Sequence, residues 1–165
     1  MKLKQSLLID RKINSRSSFL VLAIYRIEHF LYQRRMSWLL RLVGGGKSVI
    51  YLMLGLDAQI SYKAVLGDYI RLPHKAMGVV ISPKAIIGDH VSIFHHVTIG
   101  VNESLPKERQ KIEIGNHCYL STGCKVISCK VSDNCRIAPN AVVYKDISPN
   151  SLVFPVNEIK ILKQE

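Results

Sequence analysis

Two histidines, His74 and His95, are the residues of this sequence best placed to do acid–base chemistry. An imidazole titrates near neutrality and is therefore the usual general base of enzymes. His74 lies in a stretch, Leu72–Ile81, that interrupts an otherwise regular repeat with three additional residues. Because function tends to concentrate where a rigid scaffold is interrupted, this position predicts a catalytic role for His74. His95 has two interpretations: it assists His74, or it is only an exposed residue at an edge.

A six-residue repeat between Ile60 and Val153 supplies the scaffold that positions these histidines. An aliphatic residue opens each unit and a small or apolar residue follows four places later, as in the units that begin at Ile87, Ile93 and Ile114. A period of six matches neither an α-helix nor a plain β-strand. It is typical of a parallel β-helix, in which three short units make one coil. We expect about four coils.

The fourth residue of each unit should turn a corner of the coil. A corner favours a positive φ, which glycine, asparagine and, less readily, histidine tolerate. The residues at these positions are of those types: His90, His96, His117, Gly123, Asn134 and Asn140. We therefore interpret His90 and His117 as corner residues.

One edge of the expected coil carries both candidate catalytic histidines. If the insertions loop out, the first residues of four units form one vertical row: Leu72, Ile93, Leu120 and Ile137. The residues two places after them then stack about 4.8 Å apart, the usual strand spacing; these are His74, His95, Thr122 and Pro139. The edge predicts a slot for a long, thin ligand.

The four cysteines have a structural interpretation. Cys118, Cys124 and Cys135 fall on the small inward position of their units, and no metal-ligand spacing is present. A free cysteine behaves as a small buried apolar residue. We expect core thiols in a reducing compartment.

The chain is expected to divide into a helical N-terminal segment (1–56), the β-helix (57–153) and a C-terminal tail (154–165). Apolar residues at helical spacing predict a helix from Ser18 to Val43, capped by Ser17 or Ser18 and ended by the glycines 44–46. No window is apolar and long enough to span a bilayer, and the first ten residues hold too short an apolar core for a signal peptide. We expect a cytoplasmic protein.

Positive charge is concentrated in the helical segment. Residues 1–50 carry ten basic and two acidic side chains, and the whole chain has a net charge of +11. Two uses of this basic helix remain open: packing against other helices in an oligomer, or peripheral contact with an anionic membrane surface. Nucleic-acid binding is not expected, because no recognised nucleic-acid motif is present.

The sequence resembles the left-handed β-helix acyltransferases, and among them the serine acetyltransferase-like group. The resemblance rests on His74 followed by Gly78-Val-Val-Ile-Ser, on Ile87–Gly100 and on Ala138–Asp146. It implies a mainly β protein, a left-handed parallel β-helix with a short N-terminal helical segment, assembled as a homotrimer. It also implies acetyl-CoA as co-substrate, no metal, and His74 as general base on the acceptor hydroxyl.

In that family acetyl-CoA lies along a coil edge between neighbouring subunits. The positions that match its contacts are Gly100, Thr122, Pro139 and Lys145, and we expect three of them on or near the edge described above. The acceptor site departs from the serine enzymes of the family. Pro73 replaces the aspartate before the histidine, Gln59 stands near a second acidic position, and the loop 101–111 lacks a histidine.

These departures favour acetyl-CoA-dependent O-acetylation of a sugar hydroxyl in the synthesis of a surface polysaccharide such as a capsule. His74, assisted by His95, would take the hydroxyl proton. Two alternatives remain. One is a serine O-acetyltransferase with a divergent acceptor pocket, and the other is a catalytically silent β-helix that only scaffolds an assembly.

Overall fold

The computed structural model describes residues 3–155. Three helices come first: α1 (Leu3–Ile13), α2 (Arg16–Gln33) and α3 (Ser37–Leu54). Short strands follow within the described range: β1 (Gln59–Ile60), β2 (Val65–Leu66), β3 (Val80–Ile81), β4 (Ala85–Ile87), β5 (Ser92–Ile93), β6 (Thr98–Gly100), β7 (Ile112–Ile114), β8 (Tyr119–Leu120), β9 (Lys125–Ile127), β10 (Lys130–Val131), β11 (Arg136–Ile137), β12 (Val142–Val143) and β13 (Leu152–Val153).

The strands form three parallel sheets whose neighbouring members are one coil apart. Sheet A is β1-β3-β6-β9-β12, sheet B is β2-β4-β7-β10 and sheet C is β5-β8-β11-β13. The chain visits the sheets in turn, so the fold is the expected left-handed parallel β-helix. Bridges at Arg71 and Ile147 complete the first and last coils. The described residues therefore make five coils and not the expected four. The sides of the coil at Arg71 and Ile147 are too irregular to appear in the six-residue pattern.

One continuous column of buried side chains fills the coil. The first residues of successive units are buried, and Ile87, Ile93 and Ile99 are at most 2% exposed. All four cysteines are buried and unpaired, so their expected place in the core is confirmed. Burial raises the thiol pKa of Cys118, Cys124 and Cys129, to about 12 for Cys124.

The expected corner conformations are confirmed. Every residue named for a corner has a φ between 57° and 69°: His90, His96, His117, Gly123, Asn134 and Asn140. The imidazoles of His90 and His117 stack in parallel with ring centroids 4.7 Å apart, and Tyr69 continues the stack. Their position supports the interpretation that these two histidines are structural.

The helical segment differs from the expectation. The glycines 44–46 do not end a helix but lie inside α3, and the break falls at Arg34–Met36. Arg35 adopts φ 55°, its N–H donates to the Tyr32 carbonyl, and the Met36 N–H donates to the Leu31 carbonyl. This is a Schellman turn with arginine at the position where glycine is usual. Sequence signals for helix ends therefore pointed to the wrong residues.

The start of α2 also differs from the expectation, and one basic residue of this helix is buried. Ser15, and neither Ser17 nor Ser18, caps the helix. Arg26 does not face solvent: its Nε donates to Asp10 Oδ2 at 3.0 Å, and its terminal nitrogens donate to the carbonyls of Leu66 and Gly67. The residue is 8% exposed. Arg26 thus joins α1 and α2 to the first coil.

No helix within residues 3–155 combines the length and the hydropathy required to cross a bilayer.

Candidate active site

The turn that leads from sheet C to sheet A gathers both candidate histidines. We call it the histidine corner and define it as residues 73–78, 94–96, 122–123 and 139–140. Its register is fixed by strand pairing, because Ile93 pairs with Leu120 and Leu120 with Ile137. The Gly123 N–H donates to the His95 carbonyl at 3.1 Å, and the Asn140 N–H donates to the Thr122 carbonyl at 3.0 Å. The expected vertical row is therefore present.

His74 and His95 are in direct contact across two coils. Their ring centroids lie 4.7 Å apart at an interplanar angle of 74°. Phe94 flanks the pair, with its ring 6.1 Å from that of His74. His74 is exposed and His95 is half-buried. A solvent-accessible imidazole backed by a second one is an arrangement suited to proton transfer.

The backbone that carries His74 is in an unusual conformation. His74, Lys75 and Ala76 have φ values of 53°, 61° and 59°. Left-handed backbone costs L-residues about 1–2 kcal/mol each, and such strain is often found at functional sites. The turn leads into Gly78, at φ 63°, where any side chain would collide with the imidazole of His96. The insertion therefore turns back on the coil and presents His74 above His95.

The second imidazole, His95, favours its neutral form. Its Nδ1 is buried and has no hydrogen-bond partner among residues 3–155. Burial, together with the charges that His74 and His96 would carry, holds the pKa of His95 below its ordinary value of 6.5. A buried Nδ1 without an acceptor is compatible with the tautomer whose proton is on Nε2. In that form His95 can donate one hydrogen bond from its other nitrogen.

Asp57 brings a carboxylate to the histidine corner that our sequence reasoning missed. Its Oδ1 accepts a hydrogen bond from the Gly78 N–H at 2.9 Å. The pairing of Gln59 with Val80 places Asp57 level with Gly78, one coil earlier. Counting the repeat backwards from Ile60 would have located it. Gln59 itself lies exposed on the outer face of sheet A.

Two of the expected cofactor residues lie elsewhere. Thr122 and Pro139 are at the histidine corner. Gly100 ends β6 and Lys145 follows β12, so both lie at the turn from sheet A into sheet B. The expectation that three of these four residues share the edge is therefore wrong. Beyond the turn at His96, four residues of extended chain lead to Gly100, which corresponds to about 13 Å. Within one chain, the histidine corner is therefore separated from Gly100 and Lys145.

The second turn is strongly basic. We call it the basic corner and define it as Gly100, the loop 101–111, residues 113 and 128–130, and 144–146. It encloses a cleft of about 530 Å³ whose lining includes Arg109, Lys111, Lys130 and Lys145. Glu113 and Asp146 also line the cleft, and the latter accepts a hydrogen bond from the Lys130 N–H. Four cations around one cleft favour a polyanionic ligand. Of these four, sequence reasoning found only Lys145.

Comparisons with known proteins agree with this architecture. No protein-family model matches the sequence. The chain is 33% identical over 133 residues to the serine acetyltransferase of Mycobacterium tuberculosis. The matched residues are 80% of this chain and 55% of that protein. It is 33% identical over 131 residues to the serine acetyltransferase of Helicobacter pylori strain J99, covering 79% of this chain and 72% of that protein.

Solved structures give the same result. The crystal structure of Neisseria gonorrhoeae serine acetyltransferase in complex with serine matches with a TM-score of 0.71 at 26% identity, over 85% of this chain and 55% of that one. Native serine acetyltransferase 1 of Entamoeba histolytica matches in fold, with a TM-score of 0.75 at 23% identity, over 92% of this chain and 62% of that one.

These likenesses place the chain among the hexapeptide-repeat acyltransferases. It belongs to the serine acetyltransferase family. The chain spans about half the length of several curated relatives, including 55% of the Mycobacterium tuberculosis protein and 48% of a putative serine acetyltransferase of Schizosaccharomyces pombe.

Proposed function

We propose that this protein is an acetyl-CoA-dependent O-acetyltransferase whose acceptor is the hydroxyl of serine. The observation that carries the proposal is the contact between His74 and His95, at 4.7 Å between ring centroids, on a strained turn of a chain from this family. The serine-bound structural relative supports the choice of acceptor. Serine thus replaces the sugar hydroxyl as the favoured acceptor.

The chemistry assigned to His74 is general base catalysis. The acceptor oxygen attacks the thioester carbonyl carbon while His74 takes the hydroxyl proton. The tetrahedral intermediate then collapses, the C–S bond breaks, and His74 returns the proton to the departing CoA thiolate. Asp57 supplies negative charge at the same corner, where an amino-acid ammonium group would be attracted.

His95 is suited to stabilise the oxyanion of that intermediate. A neutral imidazole with its proton on Nε2 donates a hydrogen bond without taking up the substrate proton, and one such donor contributes about 10²–10³ in rate in a well-studied protease. We expect His95→Ala to lower kcat by roughly a hundredfold to a thousandfold, because truncation removes this donor. His95→Gln retains an N–H donor of similar reach, and we expect it to keep most of the rate. Equal loss in both variants would contradict the donor role.

The basic corner is suited to the phosphates of acetyl-CoA. Its four cations outnumber its two carboxylates, so the cleft carries a net positive charge that attracts a nucleotide diphosphate with an additional phosphate group. Because this corner and the histidine corner lie at opposite ends of the sheet A strands, we propose a homotrimer in which the basic corner of one protomer faces the histidine corner of its neighbour. A closed threefold ring forms three identical sites of this kind.

A sugar hydroxyl, as in surface-polysaccharide synthesis, is the second candidate acceptor. The observation that favours it is the position of Pro73 beside an exposed His74, which leaves no carboxylate adjacent to the base in sequence. An uncharged acceptor needs no ion pair there. The carboxylate of Asp57 favours serine as the acceptor, whereas Pro73 beside His74 favours a sugar.

One assay tests the proposal. Purified protein is incubated with acetyl-CoA and either serine or a panel of sugars, and the release of free CoA thiol is followed. Release that depends on serine supports the proposal, and release only with a sugar supports the second candidate. Absence of release with every acceptor, together with no change in melting temperature on addition of acetyl-CoA, would leave a scaffold that binds no acyl donor.

A further inference from the structure

A small pocket lies beside His74, between the turn from α1 to α2 and the start of the histidine corner. It has a volume of about 200 Å³ and is lined by residues 13–15 and 71–74. We call it the Arg71 pocket. At roughly 30 Å³ per molecule this volume would hold about seven waters, and it is below the roughly 300 Å³ at which sites for drug-sized ligands begin. The pocket therefore suits one small molecule, and His74 forms part of its wall.

Arg71 gives the pocket its charge. Among residues 3–155 no carboxylate lines the pocket, and Arg71 is its one permanently charged side chain. Arg71 is exposed. In the same part of the chain the ion pairs are those of Arg26 and Lys47, and Arg26 is the one arginine whose guanidinium donates hydrogen bonds. Arg71 thus presents an unpaired guanidinium next to the base, and a guanidinium can bind both oxygens of a carboxylate.

The backbone at Arg71 is fixed on both of its edges. On one edge Arg71 bridges to Ser92 of the next coil. On the other edge the side chain of Asn14 takes the place of a missing strand: its Nδ2 donates to the Ile70 carbonyl at 2.9 Å, and its Oδ1 accepts from the Leu72 N–H at 2.8 Å. The wall that carries Arg71 is therefore preorganised, which lowers the cost of ordering a binding site.

Opposite charges lie at the two ends of the turn that carries His74. Arg71 precedes the turn, and Asp57 meets its end through the hydrogen bond from the Gly78 N–H at 2.9 Å. An α-amino acid carries a carboxylate and an ammonium group on one carbon, so it can engage both charges at once. A neutral sugar can engage neither as an ion pair.

We infer that Arg71 binds the carboxylate of the acceptor and restricts the reaction to hydroxyl-bearing amino acids. The inference rests on the proposed function, because it concerns the acceptor of the same reaction. In this arrangement the carboxylate lies at Arg71, the ammonium group is attracted toward Asp57, and the side-chain hydroxyl reaches His74. Arg71 holds the non-reacting end of the substrate and takes no part in proton transfer.

A comparison of serine with serinamide, which lacks the carboxylate charge, tests this inference. The values of kcat/KM for both acceptors are measured at one pH with the unchanged protein and with Arg71→Met. We expect the unchanged protein to prefer serine roughly tenfold, the low end for a hydrogen bond to a charged group because Arg71 is exposed. Arg71→Met should lose this preference through a higher KM for serine, with kcat and the rate with serinamide little changed.

Arg136→Met is the matched control. Arg136 is exposed and belongs to the same column of sheet C, because Arg71 pairs with Ser92, Ser92 with Tyr119, and Tyr119 with Arg136. Its guanidinium already lies over the ring of Tyr119, 5.6 Å from the centroid. This variant should retain the preference for serine. Arg71→Lys keeps the charge without the paired donors and should fall between Arg71→Met and the unchanged protein.

The possible failures are distinguishable. If Arg71→Met retains the preference for serine, the inference is wrong while serine acetylation stands. An equal loss of rate with serine and with serinamide would also overturn the inference, because the guanidinium would then support the turn that carries His74. If the unchanged protein acetylates neither compound, the proposed function itself fails, and the inference fails with it.

Discussion

The histidine corner and the basic corner are two turns of the same coil with opposite chemistry. The histidine corner has contacting imidazoles, a strained left-handed turn and one carboxylate, Asp57. The basic corner has a wide cleft among four cations and regular strand ends on both sides. The first is built for proton transfer, and the second for holding a polyanion.

This difference shows how a β-helix separates two tasks. A side chain of one corner does not contact the next, because the strands of sheet A hold the corners about 13 Å apart. A substrate that needs both must therefore be long or must lie between two protomers. The proposed trimer satisfies this requirement. Variants at each corner test whether the two corners have these separate roles.

The largest effect is expected at the histidine corner. His74→Ala should lower the rate of thiol release by about 10²–10⁴, because the general base is removed. Binding of acetyl-CoA, followed by the rise in melting temperature, should remain near that of the unchanged protein. His90→Ala, at a corner with no proposed role in catalysis, is the control. If His74→Ala stays active while His95→Ala is inactive, the base is His95.

Mixed oligomers test whether the two corners that act together belong to different protomers. One chain carries His74→Ala, and the other carries Lys111→Ala, Lys130→Ala and Lys145→Ala. After unfolding and refolding as an equimolar mixture, about a quarter of the sites in random trimers would combine two intact corners. We expect activity well above that of either parent refolded alone. No recovery would indicate that both corners of a site come from one chain.

A smaller effect is expected at the basic corner alone. Lys145→Ala should raise the KM for acetyl-CoA roughly tenfold, which corresponds to about 1.4 kcal/mol, with little change in kcat. The side chain is exposed, so the effect should shrink as salt increases. Lys63→Ala, an exposed lysine in the first coil, is the matched control. A loss of kcat at unchanged KM would place Lys145 in the chemical step.

The smallest effect concerns the protonation of His95. In a titration followed by NMR, the imidazole pKa of His95 should lie below 6.5 because of burial and of the neighbouring charges. In His74→Ala the pKa should rise, since one of those charges is gone. Below pH 6.5 the unfolded chain binds a proton that folded His95 does not bind, so acid lowers stability through this group. A pKa above 6.5 would contradict the neutral donor proposed here.

More of the candidate site could be located from the sequence at the histidine corner than at the basic corner. The row His74, His95, Thr122 and Pro139 follows from the six-residue count, because each strand pair fixes the register of the next. Arg109, Lys111 and Lys130 lie in a loop and in a shortened unit, where that count gives no position. Asp57 precedes the first complete unit, and only a count carried backwards from Ile60 would have located it.

The sequence by itself determined the coil, its corners and its core. Each of these depends on local rules that recur every six residues: an aliphatic residue inward, a small one beside it and a residue that tolerates positive φ at the turn. Only the tertiary structure decided that α2 ends at Gln33, that Arg26 is buried with Asp10, and that Gly100 and Lys145 lie at a separate corner. These outcomes depend on partners distant in sequence, whose contacts outweigh local propensities of a few tenths to about 1 kcal/mol per residue.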